Sequence, residues 1–168
     1  MSCAMLWLKD QGEVEKMPKI SKSASLSVSI VLTVVFFLVL TAAAIVFPGF
    51  LKLIGNAALR PIEPRDRVLI LAAGYLVLAL AMLADWLLLR LLLRVRAGEV
   101  FTARSVALIR GVSWCAFAIA LCFLLMSWYY LVSLVLSFTA ALLGVSLRVV
   151  KNVIEEATAI KAENDLTV

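Results

Sequence analysis

The sequence predicts an all-α membrane protein: a bundle of four transmembrane helices followed by a cytoplasmic C-terminal amphipathic helix. Of its 168 residues, 64% are apolar, and the mean hydropathy is +1.07, whereas soluble domains are roughly half apolar. Four apolar runs are each long enough to cross about 30 Å of hydrocarbon, which takes roughly 20 helical residues. The Lys and Arg residues lie beside these runs, which is typical of basic residues that set orientation in a membrane.

The apolar runs fix where the four spans are expected. The predicted spans are residues 26–47, 68–93, 106–126 and 128–150. Because the last two are nearly continuous, a tight turn is predicted at 127–130, with Trp128, Tyr129 and Tyr130 as an aromatic anchor at the membrane interface. Pro48-Gly49 is expected to end the first span and to begin a connection over 48–67.

The distribution of basic residues predicts the topology. Twelve of the 16 Lys and Arg residues lie in the amino-terminal arm, around the second connection and in the carboxyl tail, against four in the first connection and none in the third. Under the positive-inside rule both termini face the cytoplasm, and the protein is expected in the cell inner (plasma) membrane. The expected parts are an arm over 1–25, a four-helix domain over 26–150 and a cytoplasmic helix and tail over 151–168.

The amino-terminal arm has two interpretations that the sequence leaves open. Residues 1–16 are either a disordered extension or lie upstream of the true start, since Met17 begins a stretch suited to initiate the chain. A cleaved signal peptide is not expected, because the first apolar run is longer than a typical signal-peptide core and lacks a small-x-small site near its end.

The second connection carries the clearest local signals. Gly98 is placed to end the second helix, and Thr102 is placed to cap the third. Phe101 and Val106 have the spacing of a hydrophobic staple across that cap. These residues predict a short cytoplasmic hairpin.

Two charged residues lie inside predicted spans. Asp85 is about thirteen residues before the hairpin bend and Arg110 about twelve after it, so at about 1.5 Å per residue they have similar depth. An unpaired charge in hydrocarbon is costly, and an Asp85–Arg110 ion pair is therefore predicted. A structural role for the pair is favoured over a relay or gate, because the spans offer no second acidic residue at depth.

The fourth predicted span carries small residues at roughly helical spacing. They are Ser133, Ser137, Ala140, Ala141 and Gly144. Small residues let helices approach closely, so this face is expected to pack within the bundle, with homo-oligomerisation as the alternative.

The carboxyl tail continues the helical periodicity while it becomes polar. The predicted apolar stripe consists of Val149, Val150, Val153, Ile154, Ala157 and Ile160. The partner-binding candidates are Val153, Ile154, Ala157, Ile160, Leu166 and Val168. The stripe requires a cover, which is the protein's own hairpin, a second copy or another cytoplasmic protein. Membrane-surface binding is disfavoured, since four acidic residues lie between 155 and 165.

The composition excludes most enzyme chemistry. The chain contains no His, and its three Cys residues are spaced for neither a disulfide framework nor a metal site. No paired acids or activated nucleophile are apparent, so no enzymatic activity, cofactor or metal is expected. The basic residues form no face with interleaved aromatics, so no direct nucleic-acid binding is expected either.

Two segments resemble a known family. They are residues 97–111, with Gly98, Phe101 and Thr102 in a Gly-x-x-Phe-Ser/Thr pattern, and residues 150–168, which close in Leu166-Thr-Val168. They are similar to the bacterial domain-of-unknown-function family 2975 of small four-helix membrane proteins. The chain departs from that pattern at Ser105, where an Asn is expected. The resemblance implies a partnership with small helix-turn-helix transcription regulators and supplies no chemistry.

Two functional hypotheses follow. The first is a non-enzymatic regulatory membrane protein that holds or senses a cytoplasmic partner, such as a helix-turn-helix transcription regulator, through the hairpin and the carboxyl-terminal helix. The alternative is a small transporter or channel subunit that uses the Asp85–Arg110 pair. Its support is that pair alone.

Overall fold

The described part of the chain is helical. A computed structural model describes residues 22–54, 63–99 and 102–165, which form four helices and contain no strand. The helices are α1 (Lys22–Ile54), α2 (Pro64–Arg96), α3 (Ala103–Met126) and α4 (Leu131–Asp165). Each is long and apolar enough to cross a membrane, so the prediction of a multi-pass, all-α membrane protein is confirmed.

The turns between the helices divide the molecule into two ends. The α2–α3 hairpin lies at one end, called here the hairpin end, and the turn at Ser127–Tyr130 lies at the other, called the turn end. The amides of Tyr129 and Tyr130 both donate to the Met126 carbonyl, at 3.0 and 3.2 Å. The tight turn predicted at 127–130 is confirmed.

Burial is inverted relative to a soluble protein. The most completely buried side chains are Ser105 and Ser113, each 1% exposed, and Ser133 and Ser137 are also buried. Large apolar side chains such as Ile45 and Leu53 are each 78% exposed. Small polar residues inside and large apolar residues outside are the pattern of helices that pack in lipid.

The α3–α4 interface is held by two hydrogen bonds between helices. The Ser113 hydroxyl donates to the Gly144 carbonyl at 2.9 Å, and the Ser137 hydroxyl donates to the Ala120 carbonyl at 2.8 Å. The Phe117 ring lies over Gly144, where a Cβ would be 3.1 Å from it. The small-residue face of α4 thus packs inside the molecule against α3, as favoured from the sequence.

Helix α1 continues past the proline expected to end it. It runs to Ile54, with Pro48 inside, so the predicted end at Phe47 is corrected. Pro48 has no amide hydrogen, which leaves the Ala44 carbonyl without its normal helical partner. The Tyr75 hydroxyl of α2 lies 3.3 Å from that carbonyl and donates to it. In lipid, a helix can continue past a proline when a neighbouring helix donates a hydrogen bond to the carbonyl that the proline leaves free.

The same contact fixes α1 against α2. The Phe47 and Tyr75 rings meet edge to face at 5.6 Å between centroids. Phe47 also fills the space in which a side chain at Gly74 would lie. Within the described ranges, close backbone contacts join only consecutive helices. The chain therefore packs in sequence order, with α3–α4 as its most extensive contact.

Candidate interaction surface at the hairpin end

The hairpin begins at a glycine whose backbone requires it. Helix α2 ends at Arg96, and Gly98 has a φ of +83°, which is strained for other residues. The Ala97 and Gly98 amides donate to the Leu93 and Val95 carbonyls, both at 3.1 Å. Arg94 Nη1 lies 3.3 Å from Glu99 Oε2. The bend is therefore closed by backbone hydrogen bonds and one exposed ion pair.

A hydroxyl network joins the bend to α3. Thr102 is the N-cap of α3, where its side chain accepts from the Ser105 amide at 3.3 Å. The buried Ser105 hydroxyl donates to the Glu99 carbonyl at 2.9 Å and lies 3.0 Å from Thr102 Oγ1. Because the single Ser105 hydroxyl proton is used on Glu99, Thr102 is the donor of the second bond. Phe101 lies outside the described residues, and the predicted staple with Val106 stays a prediction.

The structure places Ser105 at the centre of the hairpin, a role that the sequence did not indicate. The resemblance put an Asn at this position, and the serine hydroxyl here reaches back to Glu99 across the bend. A serine three residues after a capping threonine is too common a pattern to signal this contact.

Arg110 is paired with α4 and not with Asp85. Its Nη2 lies 3.6 Å from Glu155 Oε1, and no ion pair among the described residues includes Asp85. This differs from the predicted Asp85–Arg110 pair. A Cβ at Gly111 would lie 3.0 Å from Leu87 Cδ1, so α2 and α3 do meet near the predicted depth. The side chain of Arg110 instead points towards α4, while Asp85 is buried at 6% exposure.

Glu155 links the end of α4 to α3. It lies 2.6 Å from Lys151 Nζ, one turn earlier on α4, and also contacts Arg110. Glu155 and Arg110 are each about half exposed, at 50% and 55%, so their pair contributes little stability, typically ~0–1 kcal/mol. The contact orients α4 so that the face bearing Lys151 and Glu155 lies against α3.

The end of α4 is not a separate element. One helix runs from Leu131 to Asp165 over 35 residues, so the structure shows no C-terminal amphipathic helix distinct from the fourth span, and the cytoplasmic position of residues 151–168 stays a prediction. The helix continues through the expected boundary at residues 150 and 151, because residues 145–165 contain neither Gly nor Pro.

The partner-binding candidates fall into two groups along this helix. Val153 and Ile160 are 61% and 54% exposed, while Ile154 and Ala157 are only partly exposed. At 100° per residue, Val153 and Ile160 lie on the side opposite Lys151 and Glu155, and therefore away from α3. Val149 continues that face and is 58% exposed. Leu166 and Val168 lie outside the described residues.

Acidic side chains flank the exposed stripe. Glu156 and Glu163 are exposed and follow Val153 and Ile160 by one turn each. From Val153 to Glu163 the face therefore alternates apolar and acidic positions along about three turns. We call Val149, Val153, Glu156, Ile160 and Glu163 the outer face of α4.

No site for a metal ion is formed by the described residues. No three Cys, Asp or Glu side chains among them lie close enough together to hold one. Cys115 is buried, Cys122 is partly buried, and both are free thiols.

Comparison with known protein families gives a match over most of the chain. The family model described as "Protein of unknown function (DUF2975)" matches residues 15–168. No curated protein and no solved structure matches the chain.

Proposed function

The chain belongs to the DUF2975 family, and from this premise we propose that it is a non-enzymatic regulatory protein of the bacterial plasma membrane that holds a helix-turn-helix transcription regulator at its cytoplasmic face. The observation that carries the proposal is the outer face of α4. Val153 and Ile160 are exposed, and at 1.5 Å per residue they lie about 33 and 44 Å along α4 from Leu131, farther than the roughly 30 Å of hydrocarbon.

The charge distribution supports a cytoplasmic hairpin end. The segments expected at the hairpin end from the predicted topology are the amino-terminal arm, the hairpin and the end of α4, and together they hold twelve of the 16 basic residues. Lys and Arg favour the cytoplasmic side of short connections. The outer face of α4 is then available to soluble cytoplasmic proteins.

The apolar spacing fits recognition of a helix in a groove. Val153 and Ile160 are seven residues apart, which is the i, i+7 spacing of anchors on an amphipathic helix. Full burial of one such side chain is worth about 1.5–3 kcal/mol. Two anchors give a weak to moderate, reversible contact, which suits a regulator that must be released.

The acidic positions favour a basic partner. Between residues 152 and 165 the helix has four acidic residues and one lysine. A DNA-binding regulator carries a basic surface, so charge complementarity brings it to this face and disfavours anionic membrane surfaces. The resemblance described in the sequence analysis implies the same kind of partner.

The transport hypothesis loses its support in the described structure. It depended on an Asp85–Arg110 pair, whereas Arg110 is paired with Glu155. We therefore propose the partner-holding role alone.

The test uses two double variants of the full chain with equal added charge. Val153→Asp with Ile160→Asp places two carboxylates on the outer face. Asn152→Asp with Ala159→Asp places two at the same spacing, on exposed positions about 100° away. Each variant is captured from crosslinked native membranes, and co-purifying proteins are identified by mass spectrometry.

A helix-turn-helix protein should be retained by the wild type and the Asn152/Ala159 variant and lost at least tenfold from the Val153/Ile160 variant. Equal recovery from both variants, or recovery of no DNA-binding protein from the wild type, contradicts the proposal.

A further inference from the structure

Three cationic side chains converge on one cavity between α3 and α4. The cavity has a volume of about 350 Å³ and is open on one side. Its lining consists of Arg110, Ser113, Trp114, Arg148, Lys151 and Asn152. It lies on the lipid-facing flank of the interface, since Trp114 is 60% exposed.

The cations exceed the acids around this cavity. Lys151 and Arg110 share a single carboxylate, that of Glu155, at 2.6 and 3.6 Å. Arg148 has no carboxylate partner among the described residues. The group of three cations and one acid therefore keeps a net charge of about +2, which is available to an anion.

Arg148 is held in place by aromatic rings. Its guanidinium carbon lies 4.9 Å from the centre of the Trp114 ring and 5.7 Å from that of Phe117. These cation–π contacts occupy the face of the guanidinium and leave its N–H groups at the edge to donate. Edge N–H groups in a fixed plane match the oxygens of a phosphate.

The depth of the cavity matches a lipid headgroup. Arg148 and Lys151 follow the start of α4 at Leu131 by 17 and 20 residues. At 1.5 Å per residue these distances are about 26 and 30 Å, close to the roughly 30 Å thickness of the hydrocarbon layer. The exposed Trp114 indole also suits the membrane interface.

We propose that this cavity binds the phosphate of an anionic phospholipid in the leaflet at the hairpin end. Arg110, Arg148 and Lys151 hold the phosphate. Ser113 does not contribute a donor, because its hydroxyl proton is committed to the Gly144 carbonyl. The acyl chains lie along the exposed apolar surface of α3 and α4, which includes Leu121 and Val145.

A lipid fits this cavity better than a soluble phosphate does, because apolar surface of α3 and α4 lies beside the cations. A phosphate alone would gain the cations but leave the adjacent apolar surface unused. A zwitterionic headgroup would bring its own cation towards a cavity that is already positive. The preferred ligand is therefore a lipid whose headgroup has no cation, such as phosphatidylglycerol.

The test measures lipid binding to the purified full chain by native mass spectrometry. Phosphatidylglycerol and phosphatidylcholine with identical acyl chains are titrated separately. The variants are Arg148→Gln and Arg110→Gln with Arg148→Gln. The matched control is Arg96→Gln, which removes an exposed arginine of α2 outside the cavity. Circular dichroism checks that each variant retains its helices.

The wild type and R96Q should prefer phosphatidylglycerol to the same degree. The preference should fall roughly fivefold in R148Q and roughly 25-fold in the double variant, since each cation near the membrane surface is worth about 1 kcal/mol. Equal preference in R96Q and the double variant would overturn the site. Displacement of phosphatidylglycerol by an equal concentration of glycerol 3-phosphate would overturn its assignment to a lipid.

Discussion

Tyr75 is the residue that makes the proline in α1 tolerable. Its hydroxyl donates to the carbonyl that Pro48 cannot engage, that of Ala44, and its ring packs on Phe47. The hydrogen bond matters because water is not available at that depth to replace it. The continuity of α1 therefore depends on a side chain of α2.

Replacing Tyr75 with Phe should lower the free energy of unfolding by about 1 kcal/mol, because the Ala44 carbonyl loses its donor while the ring contact stays. The measurement is unfolding of the purified protein in mixed micelles. Pro48→Ala restores an amide at residue 48, so in that background Tyr75→Phe should cost clearly less. Equal costs in the two backgrounds would show that the hydroxyl does not serve the proline.

At the scale of helices, α3 and α4 are joined by reciprocal serine bonds. Ser113 donates from α3 to α4, and Ser137 donates from α4 to α3. The two bonds meet α4 at Ser137 and Gly144, about two turns apart, so they fix its register only along the membrane-buried part. The outer face beyond that part is then presented by a rigid helix.

Ser113→Ala and Ser137→Ala should each destabilise the protein by about 0.6–1.7 kcal/mol, the range measured for hydrogen bonds between membrane helices. Gly144→Leu should cost more, because a side chain there meets the Phe117 ring. Ser146→Ala is the control, since the Ser146 hydroxyl is exposed and bonds only within its own helix, to the Leu142 carbonyl. The free energy of unfolding is measured in the same mixed micelles. If Ser146→Ala lowers it as much as Ser113→Ala does, the role of the bonds between the helices is contradicted.

Much of the helical architecture was predictable because lipid imposes a length. Runs of about 20 apolar residues identified the four helices, and the aromatic residues Trp128, Tyr129 and Tyr130 identified the turn at 127–130. The end of α1 was not predictable from Pro48-Gly49. Those residues end helices in water, and their tolerance here depends on Tyr75, which is 27 positions from Pro48 in the sequence.

The candidate site was predictable in position but not in detail. The 3.6-residue period located the apolar stripe, yet it could not tell that Ile154 and Ala157 are partly covered while Val153 and Ile160 are exposed. Counting residues from the hairpin bend placed Asp85 and Arg110 at a similar depth in the membrane. It gave no information on which face of α3 carries Arg110. The contact with Glu155 requires knowledge of how α4 is rotated.

At the scale of the whole molecule, the hairpin end combines two different surfaces. The cations around Arg148 face lipid between α3 and α4, while Val153 and Ile160 lie on the opposite side of α4. The proposed lipid and protein partners therefore bind without competing for the same residues.

The proposed topology predicts which connections are accessible from outside the cell. In a chain whose Cys3, Cys115 and Cys122 are replaced by Ala, a single cysteine at Asn56 should react with a membrane-impermeant maleimide in intact cells. A single cysteine at Thr158 should react only after the cells are permeabilised. The opposite pattern would place the outer face of α4 outside the cytoplasm and contradict the proposed function.

The most direct test of the central claim is site-specific photo-crosslinking in living cells, with the photoreactive amino acid placed at Val153 or Ile160 and, as controls, at Asn152 or Ala159. The account predicts a covalent adduct with a helix-turn-helix protein from Val153 and Ile160 and little or none from the controls. Adducts only with a second copy of this chain or with lipid, or equal adducts from all four positions, would contradict it.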